Sequence, residues 1–143
     1  MRSSIPLGLT LTLAVLGCGS PRTGEGVPAS AHGPAATYAD VTAIFALSCA
    51  TQGCHTGNPP TGTPDSFDPQ YAYDALVGQP AIQAPSMPLI DPGNPEHSYA
   101  VLKIRGTASG VGGVATRMPI NARPLSDEDQ AVIESWILAG ALP

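Results

Sequence analysis

Apolar residues recur at helical spacing in four places along the chain, each bracketed by start and stop signals. Thr37, with Asp40 three residues on, reads as a capped start. Val41, Ile44 and Phe45 follow it at i, i+3, i+4 spacing up to Ser48. Asp68-Pro69 opens a short second helix through Tyr71, Ala75 and Leu76, stopped by Gly78. Asn94-Pro95 opens a third, carrying Tyr99, Leu102 and Lys103 and stopping near Gly106. Ser126, followed by Asp127, Glu128 and Asp129, is the strongest start, a cap with acids in the first turn. The helix behind it places Ile133, Trp136 and Ile137 on one face and ends at Gly140. Between these segments run Pro- and Gly-rich loops, 56–67, 78–93 and 106–125, and strand patterns are weak throughout. The pattern predicts a small, loop-rich, all-α domain of about four short helices over residues 37–143.

The N-terminus follows a different pattern. Arg2 supplies a short basic region, and Ile5–Leu16 is a mostly apolar run too short to span a bilayer. It ends Val15-Leu16-Gly17-Cys18, which resembles a bacterial lipobox, where small residues give a signal peptidase access to the bond before a lipidated cysteine. That resemblance implies a signal peptide over 1–17 and a chain tethered to the membrane through lipid on Cys18. A plain secretory signal or an uncleaved apolar segment is the alternative. Residues 18–36, rich in Gly, Pro, Ser and Ala, read as a flexible linker in which His32 is solvated. The expected location is the cell envelope, facing the periplasm or exterior. Gly19 takes the place of the aspartate that commonly retains lipoproteins at the inner membrane, which favours the outer one.

Export changes the cysteine arithmetic. With Cys18 lipidated, Cys49 and Cys54 remain in an oxidising compartment, as a disulfide, a metal site or a cofactor attachment. They lie in Cys49-Ala50-Thr51-Gln52-Gly53-Cys54-His55, directly after the first helix. Attachment of a c-type haem needs two thiols to add to two vinyl groups, and an imidazole just beyond the second thiol to bind the iron. The common spacing has two residues between the cysteines; here there are four, and Gly53 would let the longer loop bulge. A Cys49–Cys54 disulfide with His55 as an incidental neighbour fits the same residues. A zinc site lacks an obvious fourth ligand.

The second half of the chain adds to this motif. Arg117-Met118-Pro119 sits on a loop before Leu125 and the last helix, which carries Trp136-Ile137 and Gly140-Ala141. In order and spacing the chain resembles the class I-like monohaem domains of the c-type cytochrome superfamily over roughly 37–143. The resemblance implies one haem c, with Cys49 and Cys54 as thioether positions, His55 as proximal iron ligand and Met118 as distal ligand. His/Met ligation favours reduced iron and leaves no open coordination site, hence electron transfer at the envelope and not catalysis. Met87, in Ser86-Met87-Pro88, and His97 compete for the distal position, and an open position would shift the reading towards a ligand sensor or a peroxidase-like function. Composition agrees: Gly and Pro make 32 of 143 residues and aromatics 5%, so a haem would supply apolar surface that the chain lacks.

Charge narrows the partners. The formal net charge is −5, which argues against nucleic acid. Lys103, Arg105, Arg117 and Arg123 cluster in a stretch with no acid from His97 to Ser126. One reading pairs some of them with haem propionates and leaves the rest to steer acidic redox proteins; the plainer one is solubilising charge on a loop. Two other functions stay open. One is a non-haem lipoprotein with a Cys49–Cys54 disulfide and a binding or structural role; the other is a haem enzyme, or the haem subunit of an envelope oxidoreductase.

Overall fold

The computed structural model describes residues 35–57 and 65–143. The expected signal peptide, Cys18 and His32 lie outside them. Four helices organise the described chain: α1 (Tyr38–Ser48), α2 (Ala72–Leu76), α3 (Tyr99–Arg105) and α4 (Asp127–Leu138). Helix α1 starts where a full capping box forms. The Asp40 amide donates to Thr37 Oγ1 (3.3 Å), while the Thr37 amide donates to Asp40 Oδ2 (2.8 Å). Helix α4 starts on Ser126, whose Oγ accepts from the Asp129 amide at 3.1 Å, and its three first-turn acids complement the helix dipole.

Helix α1 packs against α4, and α3 against both α4 and the segment before it. Among the described residues, nineteen apolar ones are buried in one cluster. Trp136 is buried between α1 and the C-terminus, with its ring stacked on Tyr38 at 5.4 Å and its Nε1–H donating to the Leu142 carbonyl at 2.7 Å. Tyr73 meets the other side of Tyr38 edge-on at 5.4 Å.

Three details differ from the expected pattern. The fold is not purely helical, because the 78–93 loop contains a hairpin of β1 (Pro80–Ala81) and β2 (Ala84–Pro88). Its three prolines have no N–H for a ladder and argue against a strand in the sequence. The hairpin persists because it is short and its flanks are bonded to neighbours: the Leu89 amide to the Gln79 carbonyl, the Ile90 amide to the Leu76 carbonyl, and the Ala100 amide to the Leu89 carbonyl. Second, the segment from Pro95 is two elements. A single 3-10 turn, Pro95–His97, is separated from α3 by Ser98 in extended conformation (φ −95°, ψ 114°). Buried Ser98 Oγ accepts from the Asp91 amide and donates to the Asn94 carbonyl, bonds that hold the break. Third, α2 begins at Ala72, after a turn in which the Asp68 carbonyl accepts from Tyr71 and Ala72.

Two outcomes follow from the caps. Ser126→Ala leaves the α4 N-terminal amides without their side-chain acceptor and is expected to cost about 1 kcal/mol, read as a lower urea midpoint with unchanged slope. The Thr37 hydroxyl, and then its amide, hold the Asp40 carboxyl below the ordinary aspartate range. A depressed carboxyl stabilises above its unfolded pKa and loses that contribution as pH falls through its folded value. Thermal melts from about pH 5 down to about pH 2 are therefore expected to show a shallower acid decline in Asp40→Asn than in wild type.

Candidate functional site

Helix α1 delivers Cys49 as its C-cap, with the Cys49 and Ala50 amides both bonded to the Phe45 carbonyl. The chain then turns sharply. The Cys54 amide reaches the Thr51 carbonyl at 2.9 Å, Gly53 takes φ +80°, and the His55 amide returns to the Cys49 carbonyl at 3.3 Å. Cys49, Cys54 and His55 thus share one closed turn at the end of α1. The two sulfurs are free thiols. Cys49 packs against the core, and burial, with Cys54 nearby, pushes its thiol pKa up to about 12. It is therefore held as a neutral thiol at physiological pH.

His55 is held from three sides. Its Nδ1 lies 2.8 Å from the backbone carbonyl of Asp65. A carbonyl only accepts, so Nδ1 carries the proton and the lone pair of the neutral ring is on Nε2. Its own carbonyl accepts from the Phe67 amide at 2.9 Å. Its ring meets Phe67 edge-on at 4.7 Å, and Phe67 meets buried Phe45 of α1 the same way at 4.9 Å. The aromatic chain Phe45–Phe67–His55 therefore ties the imidazole to the core. Burial raises the Asp65 carboxyl above the ordinary range, with His55 acting in the opposite direction.

Asp65 and Phe67 were not singled out in the sequence. A backbone carbonyl acceptor has no side-chain signature, so Asp65 could not have been found that way; a lone Phe in a Pro-rich loop is a weak signal.

The other predicted ligands are distributed over different elements. Met118 is half-buried on the loop after α3, and its amide donates to the Lys103 carbonyl at 3.0 Å. Met87 lies on β2 with 6% of its surface exposed and belongs to the core cluster. His97 is exposed, and its Nδ1 pairs with Asp91 Oδ2 at 2.8 Å. Among the described residues, no three His, Cys, Asp or Glu side chains converge to hold a metal ion. A haem iron does not need such a cluster, because its own ring supplies four nitrogens. Nor is any described helix long and apolar enough to cross a membrane.

The cationic stretch is used mostly inside the fold. Lys103 is buried and donates to the Val114 and Thr116 carbonyls, and burial lowers its pKa. Arg105 bonds Glu96 with both carboxylate oxygens at 2.8 Å and Glu134 of α4 at 2.9 Å. Arg117 Nε donates to the Ile104 carbonyl at 2.6 Å. Arg123 is exposed and has no hydrogen bond or ion pair among the described residues. A cavity of about 240 Å³ lies elsewhere, between Ala35–Tyr38 and Trp136, Ala139, Leu142 and Pro143. It is at the start of α1, roughly 16 Å along the helix from Cys49.

Removing the ring that joins His55 to α1 tests this geometry. Phe67→Ala is expected to cost about 3 kcal/mol, read as a shifted denaturant midpoint, whereas Phe67→Leu retains most of that stability. No family model, curated protein or solved structure matches the chain.

Proposed function

We propose that this protein is an exported haem c protein that passes single electrons at the cell envelope. The observation that carries the reading is the 2.8 Å contact between His55 Nδ1 and the Asp65 carbonyl, directly after two free thiols. Metal-binding histidines commonly donate their second ring N–H to a carbonyl or carboxylate, which sets the tautomer, aims the other nitrogen and raises its basicity.

On this reading Cys49 and Cys54 are the thioether positions and His55 Nε2 is the proximal ligand. Met118 is the distal ligand, and Cys18 carries the lipid anchor. When bound, the haem supplies a one-electron iron couple. The protein's part is to hold the imidazole by Asp65 and Phe67 and to offer a neutral thioether from the 113–118 loop. A thioether favours reduced iron and raises the potential. Met87 and His97 are poorer distal candidates, since one side chain is buried in the core and the other is paired with Asp91.

The partners are redox proteins of the envelope. Steering by positive charge rests on Arg123 and the exposed end of Arg117, because Lys103 and Arg105 are committed internally. The domain serves as a carrier or as the haem subunit of a larger oxidoreductase.

The deciding experiment expresses the chain in a host with cytochrome c maturation and stains denatured protein for covalent haem. Wild type is expected to stain, and the Cys49→Ala, Cys54→Ala double variant is not. An unstained wild type with Cys49 and Cys54 disulfide-linked would overturn the reading in favour of a non-haem lipoprotein. In the stained protein, the thioether-to-iron absorption band is expected to vanish in Met118→Ala and to persist in Met87→Ala.

A further inference from the structure

Helix α3 presents two buried polar side chains one turn apart, Tyr99 and Lys103, on the same face. Both are spent on the backbone of one loop. The Val114 amide donates to Tyr99 Oη at 3.3 Å, and the Val114 carbonyl accepts from Lys103 Nζ at 3.0 Å. Lys103 Nζ also reaches the Thr116 carbonyl at 2.5 Å. The loop is pressed so closely to the helix that a Cβ on Gly113 would lie 2.4 Å from Tyr99 Oη. Tyr99 in turn donates to Gln83 Oε1 at 2.9 Å, which ties the hairpin turn to the same point. Two residues beyond Thr116, the Met118 amide bonds the carbonyl of Lys103 itself.

A buried ammonium facing carbonyl dipoles and no carboxylate is costly to maintain, so the contacts call for a reason beyond general packing. We propose that Tyr99 and Lys103 are positioning residues that fasten residues 113–118 to α3, so that the Met118 thioether is offered to the haem iron from one fixed place. This rests on the haem reading above. A loose loop would lose conformational entropy each time the thioether bound, so fastening it beforehand strengthens the sixth bond without touching the iron. On that reading the clamp would keep the thioether, and not a small molecule, at the iron.

The test uses the full chain matured with haem and carrying Tyr99→Phe, Lys103→Met or, as a control on the same helix, Arg105→Gln. Tyr99→Phe and Lys103→Met are expected to keep covalent haem, weaken or lose the thioether-to-iron band, lower the midpoint potential and let ferrous protein bind carbon monoxide. Hydrogen exchange at the Val114 and Met118 amides is expected to quicken by about tenfold, the effect of losing a buried hydrogen bond. Arg105→Gln breaks the Glu96 and Glu134 bonds and is expected to lower the melting temperature while band, potential and carbon monoxide exclusion stay at wild-type values. Should Lys103→Met fail to accumulate, Tyr99→Phe, which removes a single oxygen, decides.

A wild-type band abolished by Met118→Ala, with band, potential and carbon monoxide exclusion all unchanged in the clamp variants, would overturn the clamp and leave the haem reading intact. A wild type with no covalent haem overturns both. A haem-loaded wild type whose band survives Met118→Ala overturns the clamp by removing its target.

Discussion

The two ends of the described chain meet at Trp136, whose ring stacks on Tyr38 while its indole N–H donates to the Leu142 carbonyl. An aromatic residue buries more apolar area than any aliphatic one and still offers a directed polar edge. That combination matters in a chain with 5% aromatics, where five of the nineteen buried apolar residues among those described are alanines. The stack fixes the start of α1 on α4, and the Ala141 amide returns to the Trp136 carbonyl, so the C-terminus closes over the same ring. With one end of α1 fixed, its other end is fixed too, and that end is Cys49. The position of the cysteine turn therefore depends on a contact about three helical turns away.

The remaining aromatics show why the site is built where it is. Phe45 and Phe67 extend the core from α1 to the His55 ring, and the 65–67 segment that carries Phe67 also supplies the Asp65 carbonyl. The imidazole is thereby oriented by a hydrogen bond and packed by a ring, two constraints from the same short segment. Met118 is held by a different element, α3, through backbone and side-chain bonds that share nothing with the His55 turn. On the proposed reading, the two axial ligands are supported independently.

Helices were legible where their signals are local. Thr37 with Asp40, and Ser126 with its following acids, announce α1 and α4 because a cap acts within one turn. Legibility failed where a distant partner decides the outcome. Ser98 breaks the third helix only because Asp91 and Asn94 are in reach of its hydroxyl, and Pro80 and Pro88 pair only because the hairpin's flanks are bonded to α2 and α3. Cys49, Cys54 and His55 stood out by spacing. Asp65 did not, because the atom that matters belongs to the main chain.

Charge is the most instructive case. The stretch from His97 to Ser126 without an acid reads, as sequence, either like solubilising charge on a loop or like a surface made positive for a partner. Lys103 and Arg117 instead face backbone carbonyls, and Arg105 spans two carboxylates from other parts of the chain. A carbonyl is a weaker partner for a cation than a carboxylate. An acid placed within the 107–118 loop would compete for Lys103 and pull it off Val114 and Thr116. The absence of acids is therefore a condition for the loop to be held by its own main chain. A loop held that way keeps one shape, which on the proposed reading suits a side chain that must stay in place as an iron ligand.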